Sequence, residues 1–334
     1  ILDNLIFLIL VLFLDNFTNK LVVFGIFYLI SNIPGAILLT FLMVKNFNFR
    51  PKFEFDILKK TILESLPLLG LVILTYVFMQ ADIIILKLFQ SDVDVAIYSV
   101  AIRLSMPLII IPSAITSSIF SLLVRKIRKN ENYTSIVNTT IKLLILFAFG
   151  LFFLISFNSN QIIEIVFGAK YLASSLPLII LSFSLLFLFS NFFMIDFFTA
   201  LGLQKINFKY SILLNLFVIP LNLLLIPIYS YYGASVAKVV SLFIGNWFLI
   251  WNIKKFIKIN FSHFRILVWI LFNLLFFYFL SGELNIFFLF IIESIIVILT
   301  ILVFKIFTND ELIMIADLLN SRVLFDKMRI VKTK

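Results

Sequence analysis

Residues 207–253 read NFKYSILLNLFVIPLNLLLIPIYSYYGASVAKVVSLFIGNWFLIWNI, and this stretch decides the fold class. It holds two apolar runs, 207–228 and 233–253, and its only charged residues are Lys209 and Lys238. Each run has about the 20 residues that a helix needs to cross the hydrocarbon of a bilayer. Because lipid offers the backbone no hydrogen-bond partner, runs of this length fold as α-helices. The stretch therefore predicts two consecutive membrane-spanning helices.

Similar apolar runs fill the rest of the chain, and we count ten in all. They are residues 1–14, 20–44, 62–88, 94–124, 136–157, 174–201, 207–228, 233–253, 264–280 and 284–307. The run 94–124 is too long for one straight span, and Pro107 and Pro112 are expected to kink it. The short alternating strands of an outer-membrane barrel are absent from the sequence. We therefore expect an all-α, polytopic membrane helix bundle with about ten transmembrane helices.

The composition excludes several classes of function. Of the 334 residues, 63% are hydrophobic and only 13% are charged, against about 25% charged in soluble domains. Such a chain is not a cytosolic enzyme, a disordered regulator or a nucleic-acid-binding domain. Cysteine is absent, and the sequence lacks the G-x-S-x-G, H-E-x-x-H and Walker motifs. We expect no catalytic residues, no metal site and no cofactor.

The lysines and arginines are unevenly distributed among the loops. Basic segments alternate without a break with segments that carry almost no positive charge; the basic ones are 45–60, 125–135, 202–209, 252–265 and the tail after 307. The positive-inside rule predicts that these segments are cytoplasmic. The chain should then be a multi-pass protein of the cytoplasmic membrane with a cytoplasmic C-terminus. In the tail, Thr308 and Glu311 have capping-box spacing and predict a short amphipathic helix followed by a basic end.

Charged residues inside the apolar runs are the candidate functional residues, since charge in lipid is costly. Arg103 lies about nine residues, or roughly 13 Å, into the fourth run. We expect Arg103, Asp82 or Lys238 to face a polar cavity and contact an anionic substrate or a coupling ion. The alternatives are an intramembrane pair, such as Arg103 with Asp82, or snorkelling to the interface. Asp196 and Glu293 are candidates for coupling to H⁺ or Na⁺.

Several short motifs resemble one known family. They are Ala81-Asp82-Ile83-Ile84-Ile85-Leu86, Val95-Ala96-Ile97-Tyr98, Ala101-Ile102-Arg103-Leu104, Phe167-Gly168-Ala169-Lys170-Tyr171 and Gly233-Ala234-Ser235-Val236-Ala237. In order and spacing they resemble polysaccharide flippases of the multidrug/oligosaccharidyl-lipid/polysaccharide exporter superfamily. The resemblance covers roughly residues 60–255. It implies two half-bundles around a cationic cavity that opens alternately to each side and carries a lipid-linked oligosaccharide across. Arg103 and Asp82 are the cavity candidates that it favours.

The resemblance also implies a domain organisation. Flippases of this kind have twelve to fourteen helices, so we expect this chain to be a fragment that lacks its first four. The expected parts are 1–44, the last two helices of an N-terminal half-bundle; 45–61, a cytoplasmic linker; 62–257, a C-terminal half-bundle of six helices; 258–307, two additional helices; and 308–334, the amphipathic tail. The expected partners are the lipid-linked substrate and membrane lipids.

Three other functions remain open from the sequence alone. A cation-coupled multidrug antiporter of the same superfamily would need acidic cavity residues, which Asp196 and Glu293 could supply, whereas Arg103 and Lys238 argue against it. A membrane enzyme of glycan assembly would need a sizeable extracytoplasmic loop, and none exceeds about 16 residues by the span assignment above. A membrane scaffold without transport is the third.

Overall fold

The computed structural model describes residues 2–14, 17–47, 54–259, 263–280 and 286–319. Within these ranges all regular structure is helical. The helices are α1 (Leu2–Val11), α2 (Lys20–Phe47), α3 (Phe55–Phe89), α4 (Asp92–Ser105), α5 (Ile110–Arg128), α6 (Thr134–Phe167), α7 (Ser175–Ala200), α8 (Gln204–Ile253), α9 (His263–Leu280), α10 (Ile286–Val303) and α11 (Asn309–Leu319). Short 3₁₀ turns, Met106–Ile109 and Ala169–Ser174, lead into α5 and α7.

The helices confirm the expected membrane architecture. Among the described residues, six helical segments are long and apolar enough to cross a bilayer, and two shorter apolar helices lie within α9 and α10. One of the six is α8, which is 50 residues long. It consists of two helices, because Ser230 has non-helical angles (φ 48°, ψ −132°) that separate the two runs expected from the sequence. The chain is a multi-pass membrane protein.

Of the two prolines expected to kink the run 94–124, Pro107 lies at the break between α4 and α5, whereas Pro112 lies within the first turn of α5. Pro107 opens the 3₁₀ turn between α4 and α5, since proline lacks the N–H that a continuous helix would use. Pro220 and Pro227 lie inside α8, just before its break. Beyond the break, Gly233 lies directly against the Leu225 carbonyl, so a side chain would not fit there. Prolines and one glycine thus set the directions of the spans.

The chain separates into two compact units, Ile1–Pro67 and Leu68–Lys334. In the first unit α1 and α2 pack together through aromatic rings. The ring of Phe7 lies 5.1 Å from Phe24 and 5.7 Å from Tyr28, in both cases edge to face. Of the expected linker 45–61, residues 48–53 lie outside the described ranges.

The core of the second unit is built around α7, which packs against α6 and α8. Phe189, Phe193 and Phe197 of α7 are fully buried there. A second apolar cluster around Phe153, Trp269 and Phe277 packs α9 and α10 against α6. Since lipid chains are themselves apolar, such contacts stabilise the bundle through close packing rather than through exclusion of water.

Asparagines connect α7 to both halves of α8. The Asn191 amide donates to the Tyr210 hydroxyl (3.0 Å), and the Asn246 amide donates to Ser190 and to the Asn191 side-chain oxygen (both 2.8 Å). Interhelical hydrogen bonds of this kind contribute about 0.6 kcal/mol each in membranes. No pattern in the sequence indicated this network.

Two of the basic segments, 125–135 and 252–265, lie with the neighbouring ends of α6 and α7 and with the chain just after α10 at one end of the second unit, which we call the basic end. The contacts are the rings of Tyr133 and Phe197, the rings of Phe198 and Phe256, the Asn138 amide with the Lys258 carbonyl, and the Lys142 ammonium with the Ile306 carbonyl. At the opposite end, the Gln90 amide donates to the Ile226 carbonyl (3.0 Å). The alternation of basic and non-basic segments along the chain thus corresponds to two distinct ends of the bundle.

Candidate functional site

One face of the α4–α5 span is exposed and differs in composition from the other exposed faces. Between Arg103 and Arg125 the exposed residues are Arg103, Pro107, Ile110, Ala114, Ser117, Ser118, Ser121 and Arg125. They recur every three to four residues and so lie on one side of the span. At 1.5 Å per residue they extend over about 33 Å, which is close to the thickness of the hydrocarbon. We call this surface the polar stripe.

The polar stripe contains almost no large apolar side chain. Between Val93 and Phe147, Ile110 is the only exposed one. The exposed faces of α8 and α9, by contrast, carry Leu216, Leu224 and Leu271, each more than half exposed. Leucine-rich faces are suited to lipid, whereas a face of serine, alanine and arginine is suited to water or to another protein surface.

The stripe can offer both charge and hydrogen bonds to a ligand. Arg103 forms no ion pair or side-chain hydrogen bond within the described part of the chain, so its five N–H donors are available. The hydroxyls of Ser117 and Ser118 donate to the Ala114 carbonyl at 3.1 and 2.9 Å, and their oxygens remain able to accept. An arginine with free donors suits phosphate oxygens, which it can bind in a bidentate way.

Asp82 and Lys238, the other two cavity candidates, lie together in a sealed cluster that we call the buried joint. The Lys238 ammonium donates to Asp82 Oδ2 at 2.8 Å, and the Tyr98 hydroxyl donates to the same oxygen at 2.6 Å. Asp82 is 0% exposed and Lys238 1%. The joint connects α3, α4 and the second half of α8.

The remaining polar groups of the joint are also satisfied. The backbone N–H of Ile83 donates to Asp82 Oδ1 (3.0 Å), and Lys238 also donates to the Phe78 carbonyl (3.0 Å). The ammonium lies 4.7 Å from the centre of the Phe78 ring, a favourable cation–π distance. With its donors and acceptors satisfied and no exposed surface, the joint is closed to solvent and to substrate in this conformation.

The local sequence explains how α4 presents its two faces. Ser91 caps α4, and Asp94 completes the capping box, which fixes where the helix starts. Tyr98 and Arg103 are five residues apart and so point about 140° away from each other. One helix therefore supplies the tyrosine of the buried joint and the arginine of the polar stripe.

The pairing of Arg103 with Asp82, considered above as an alternative, is wrong. Asp82 is neutralised by Lys238, which follows it by 156 residues in the chain, and Arg103 is exposed on another side of α4. The structure thus brings two of the three cavity candidates together and leaves the third apart. Their contact with a substrate stays a prediction.

The two coupling candidates are well separated. Asp196 is half-buried near the basic end of α7 and interacts with Thr116 of α5. Glu293 is fully buried on α10, where the Asn158 amide of α6 donates to Oε2 at 2.9 Å and Oε1 has no described partner. Asn158 lies roughly six to seven turns along α6 from its basic end. The residues therefore lie at different depths and form no common ion site.

Sequence reasoning missed a second charged pair, Lys142 with Glu311. The Lys142 ammonium lies 2.7 Å from both carboxylate oxygens of Glu311 and 5.1 Å from the centre of the Phe307 ring. The expected capping box of Thr308 and Glu311 is confirmed. Lys142 lies well inside the apolar run 136–157, so the search for charge in lipid that found Arg103 could also have found it.

The environment of Glu311 alters its titration. Partial burial raises its pKa, but hydrogen bonds from Lys142 and Thr308 and the Lys142 charge outweigh this and lower the pKa below its ordinary value. The carboxylate is therefore charged near neutral pH and holds α11 against α6. Of the expected tail, residues 320–334 lie outside the described ranges.

No group of three or more metal-ligating side chains occurs among the described residues. The chemistry that the described side chains do offer is recognition of charge, through Arg103 on an open surface and through the fixed pairs around Asp82 and Glu311.

Comparisons with known proteins agree with this picture. A family model for polysaccharide biosynthesis proteins matches residues 11–176. The capsular polysaccharide biosynthesis protein CapF of Staphylococcus aureus is 31% identical over 135 residues, which are 39% of this chain and 33% of CapF. An uncharacterised membrane protein of Methanocaldococcus jannaschii, MJ1068, is 32% identical over 108 residues, which are 32% of this chain and 21% of that protein.

A solved structure extends the likeness to almost the whole chain. The lipid II flippase MurJ, in an inward closed conformation, superposes with a TM-score of 0.73 and covers 91% of this chain at 20% sequence identity. The match spans 65% of the MurJ chain, and the matches to the curated relatives span a third of their length or less. The comparisons confirm a resemblance to polysaccharide biosynthesis proteins and the polytopic helix-bundle fold.

Proposed function

We propose that this chain, a relative of the polysaccharide-biosynthesis flippases, is part of a transporter that moves polyprenyl-linked oligosaccharides across the cytoplasmic membrane by alternating access. The observation that carries the proposal is the polar stripe. A surface of serines, alanine and Arg103 over the depth of a bilayer is costly against lipid but suitable along a path for a polar head group.

Arg103 is our candidate for direct substrate contact. The substrate of such a transporter combines a diphosphate, which must leave water, with a polyprenyl tail that can stay in lipid. Arg103 has free donors part-way across the bilayer, where an anion gains more from a cation than it would in water. The serines below it can accept hydrogen bonds from sugar hydroxyls.

The buried joint has a different role in this proposal. Since Asp82 and Lys238 neutralise each other and are sealed, they fix α3 and α8 against α4. They thereby hold Arg103 in position without contacting the substrate. The six-helix group of α3 to the end of α8, expected as a half-bundle, would move as one body.

The orientation follows from charge. We place the basic end in the cytoplasm, because positively charged segments remain on that side during insertion. α11 and the C-terminus would then lie on the cytoplasmic face. For coupling, Glu293 is a stronger candidate than Asp196, since its Oε1 is buried and has no described partner and could take up a proton.

Translocation in proteoliposomes tests the proposal. The protein, expressed from its complete gene, is reconstituted, and the movement of a labelled polyprenyl-diphosphate oligosaccharide is followed for wild type, Arg103→Gln, Arg103→Lys and the control Arg128→Gln. We expect Arg103→Gln to slow transport at least about tenfold, the loss of one charge-assisted contact. The lysine variant should keep part of the rate, and the control should keep all of it.

Two results would contradict the proposal. Equal transport by wild type and Arg103→Gln would show that Arg103 does not contribute to substrate transport. A wild type that leaves the lipid-linked sugar in place but exports a cationic dye would point to the antiporter instead. In that case Glu293→Gln is the variant to measure, because a protonatable carboxylate would then drive export.

A further inference from the structure

A second cationic site lies at the basic end, and none of the residues that line it belongs to the polar stripe or to the buried joint. A cavity of about 430 Å³ opens between α9, α10 and α11. Its polar lining includes Arg265 and Lys305, and its apolar lining includes Ile301, Leu302 and Leu312. A pocket that combines two cations with an apolar floor, at the point where α10 leaves the bilayer, has the chemistry of a lipid head-group site.

The two cations lack a carboxylate partner within the part of the chain that the structure describes. Arg265 donates one hydrogen bond, to the Lys305 carbonyl at 3.0 Å, and its other N–H groups remain available. Lys305 is exposed. The nearby Glu311 is already neutralised by Lys142, and Asp310 is not among the residues that line the cavity. Two cations that line one cavity favour an anion between them.

The backbone at Lys305 gives an independent reason to look at its side chain. Lys305 N–H donates to the Leu302 carbonyl and Ile306 N–H to the Ile301 carbonyl, at 3.0 and 3.2 Å, and Lys305 has φ 47°. This arrangement ends a helix and normally places glycine or asparagine at the left-handed position. The chain has asparagine and glycine at two other such positions, Asn130 and Gly202. Each ends its helix in the left-handed conformation with the same two kinds of backbone hydrogen bond as Lys305.

A lysine in the left-handed conformation is strained relative to glycine, because its Cβ comes too close to the following carbonyl oxygen. A lysine at this position therefore does not stabilise the backbone, but it does place a positive charge at the cavity. We propose that Arg265 and Lys305 bind the phosphate of an anionic phospholipid from the leaflet at the basic end, with its acyl chain along Leu302 and Ile301. This proposal does not depend on transport, and it assigns α11 the role of closing one side of the lipid site.

Lipid binding to the detergent-solubilised protein tests the assignment. The protein is titrated with phosphatidylglycerol and with zwitterionic phosphatidylcholine, and bound lipid is counted by native mass spectrometry. We expect phosphatidylglycerol to bind at least about fivefold more tightly. Arg265→Gln and Lys305→Gly should each lose about fivefold in affinity, the effect of one cation near a membrane surface.

The choice of variants separates binding from folding. Lys305→Gly removes the charge but suits the left-handed backbone, so its thermal stability should equal or exceed that of wild type while binding falls. Lys126→Gln is the matched control, because it removes one charge from the basic end at a residue that pairs with Glu131. It should leave lipid binding unchanged. The basic residues beyond α11 are the same in every variant.

Three results would overturn the proposal. The first is equal binding of the anionic and the zwitterionic lipid. The second is a loss with Lys126→Gln as large as that with Lys305→Gly, which would indicate only a general attraction to positive charge. The third is competition by millimolar inorganic phosphate as effective as that by phosphatidylglycerol, which would make this a site for free phosphate rather than for a lipid.

Discussion

The buried joint and the polar stripe both include residues of α4. The charged groups of the joint are buried and paired, whereas the arginine of the stripe is exposed. In the joint, the Tyr98 hydroxyl and the Lys238 ammonium meet one oxygen of Asp82, and all three groups are buried. In the stripe, Arg103 is exposed and has no protein partner within the described ranges. Both lie in membrane-spanning helices. The presence of a charged residue in a span therefore does not reveal its role, whereas burial and pairing do.

The largest effect should come from breaking the buried joint. Asp82→Ala leaves the Lys238 charge buried without a partner, and we expect unfolding in detergent to become easier by about 3–5 kcal/mol. The double variant Asp82→Leu/Lys238→Leu removes both charges and should recover most of the loss. Thermal unfolding of the three proteins measures this difference. A single variant as stable as wild type would show that the joint is not structural.

The next largest effect should come from filling the polar stripe. Ser121→Phe puts a large ring on the exposed face near the basic end, and we expect transport to fall about tenfold, comparable to the removal of a positioning contact. Stability should change by less than about 0.5 kcal/mol, as for exposed sites generally. Measurements of transport and of unfolding on the same preparation check the expected fall in transport and the expected small change in stability. Unchanged transport would mean that this face borders lipid.

A smaller effect is expected at the pair that holds α11. Since the pKa of Glu311 is lowered in the folded protein, its contribution is fully present above its ordinary unfolded pKa and is lost as the pH falls through the lower folded value. The protection factors of the α11 amides against hydrogen exchange should therefore fall in acid and stay high at neutral pH. Glu311→Gln should exchange faster at neutral pH and lose most of this pH dependence. A variant with the wild-type profile would contradict the assignment.

The smallest effect is expected at an exposed pair near the buried joint. Lys87 and Asp92 form an ion pair, but their side chains are 59% and 82% exposed. Exposed pairs contribute about 0–1 kcal/mol. Lys87→Gln should therefore leave the unfolding temperature almost unchanged. A loss as large as that of Asp82→Ala would show that burial does not decide which pairs matter in this bundle.

The sequence predicted the fold much better than the site. Apolar runs, prolines and alternating basic loops act locally, so the spans, the kink at Pro107 and the capping box at Thr308 were all predictable. The partner of Asp82 was not, because Lys238 is 156 residues away and the pairing depends on which helices are neighbours. Local spacing does not contain that information.

The polar stripe was only partly predictable from the sequence. Its pattern is visible in the sequence, since Ala114, Ser117 and Ser121 recur at helical spacing. Small residues at this spacing also occur where helices pack closely, as at Gly233 and Ala237. Only the exposed fraction of each side chain in the folded bundle separates an open face from a packed one.

The water accessibility of the polar stripe decides most sharply whether this face lines a path for a polar head group. The chain has no cysteine, so single substitutions Ser117→Cys and Ser121→Cys can be labelled in the membrane with an impermeant maleimide. Leu216→Cys, on an exposed apolar face at a similar distance from the basic end, is the matched control. The account predicts that the two stripe positions react, because thiolate forms in water, and that the control stays unlabelled. Stripe cysteines as unreactive as Leu216→Cys would contradict it.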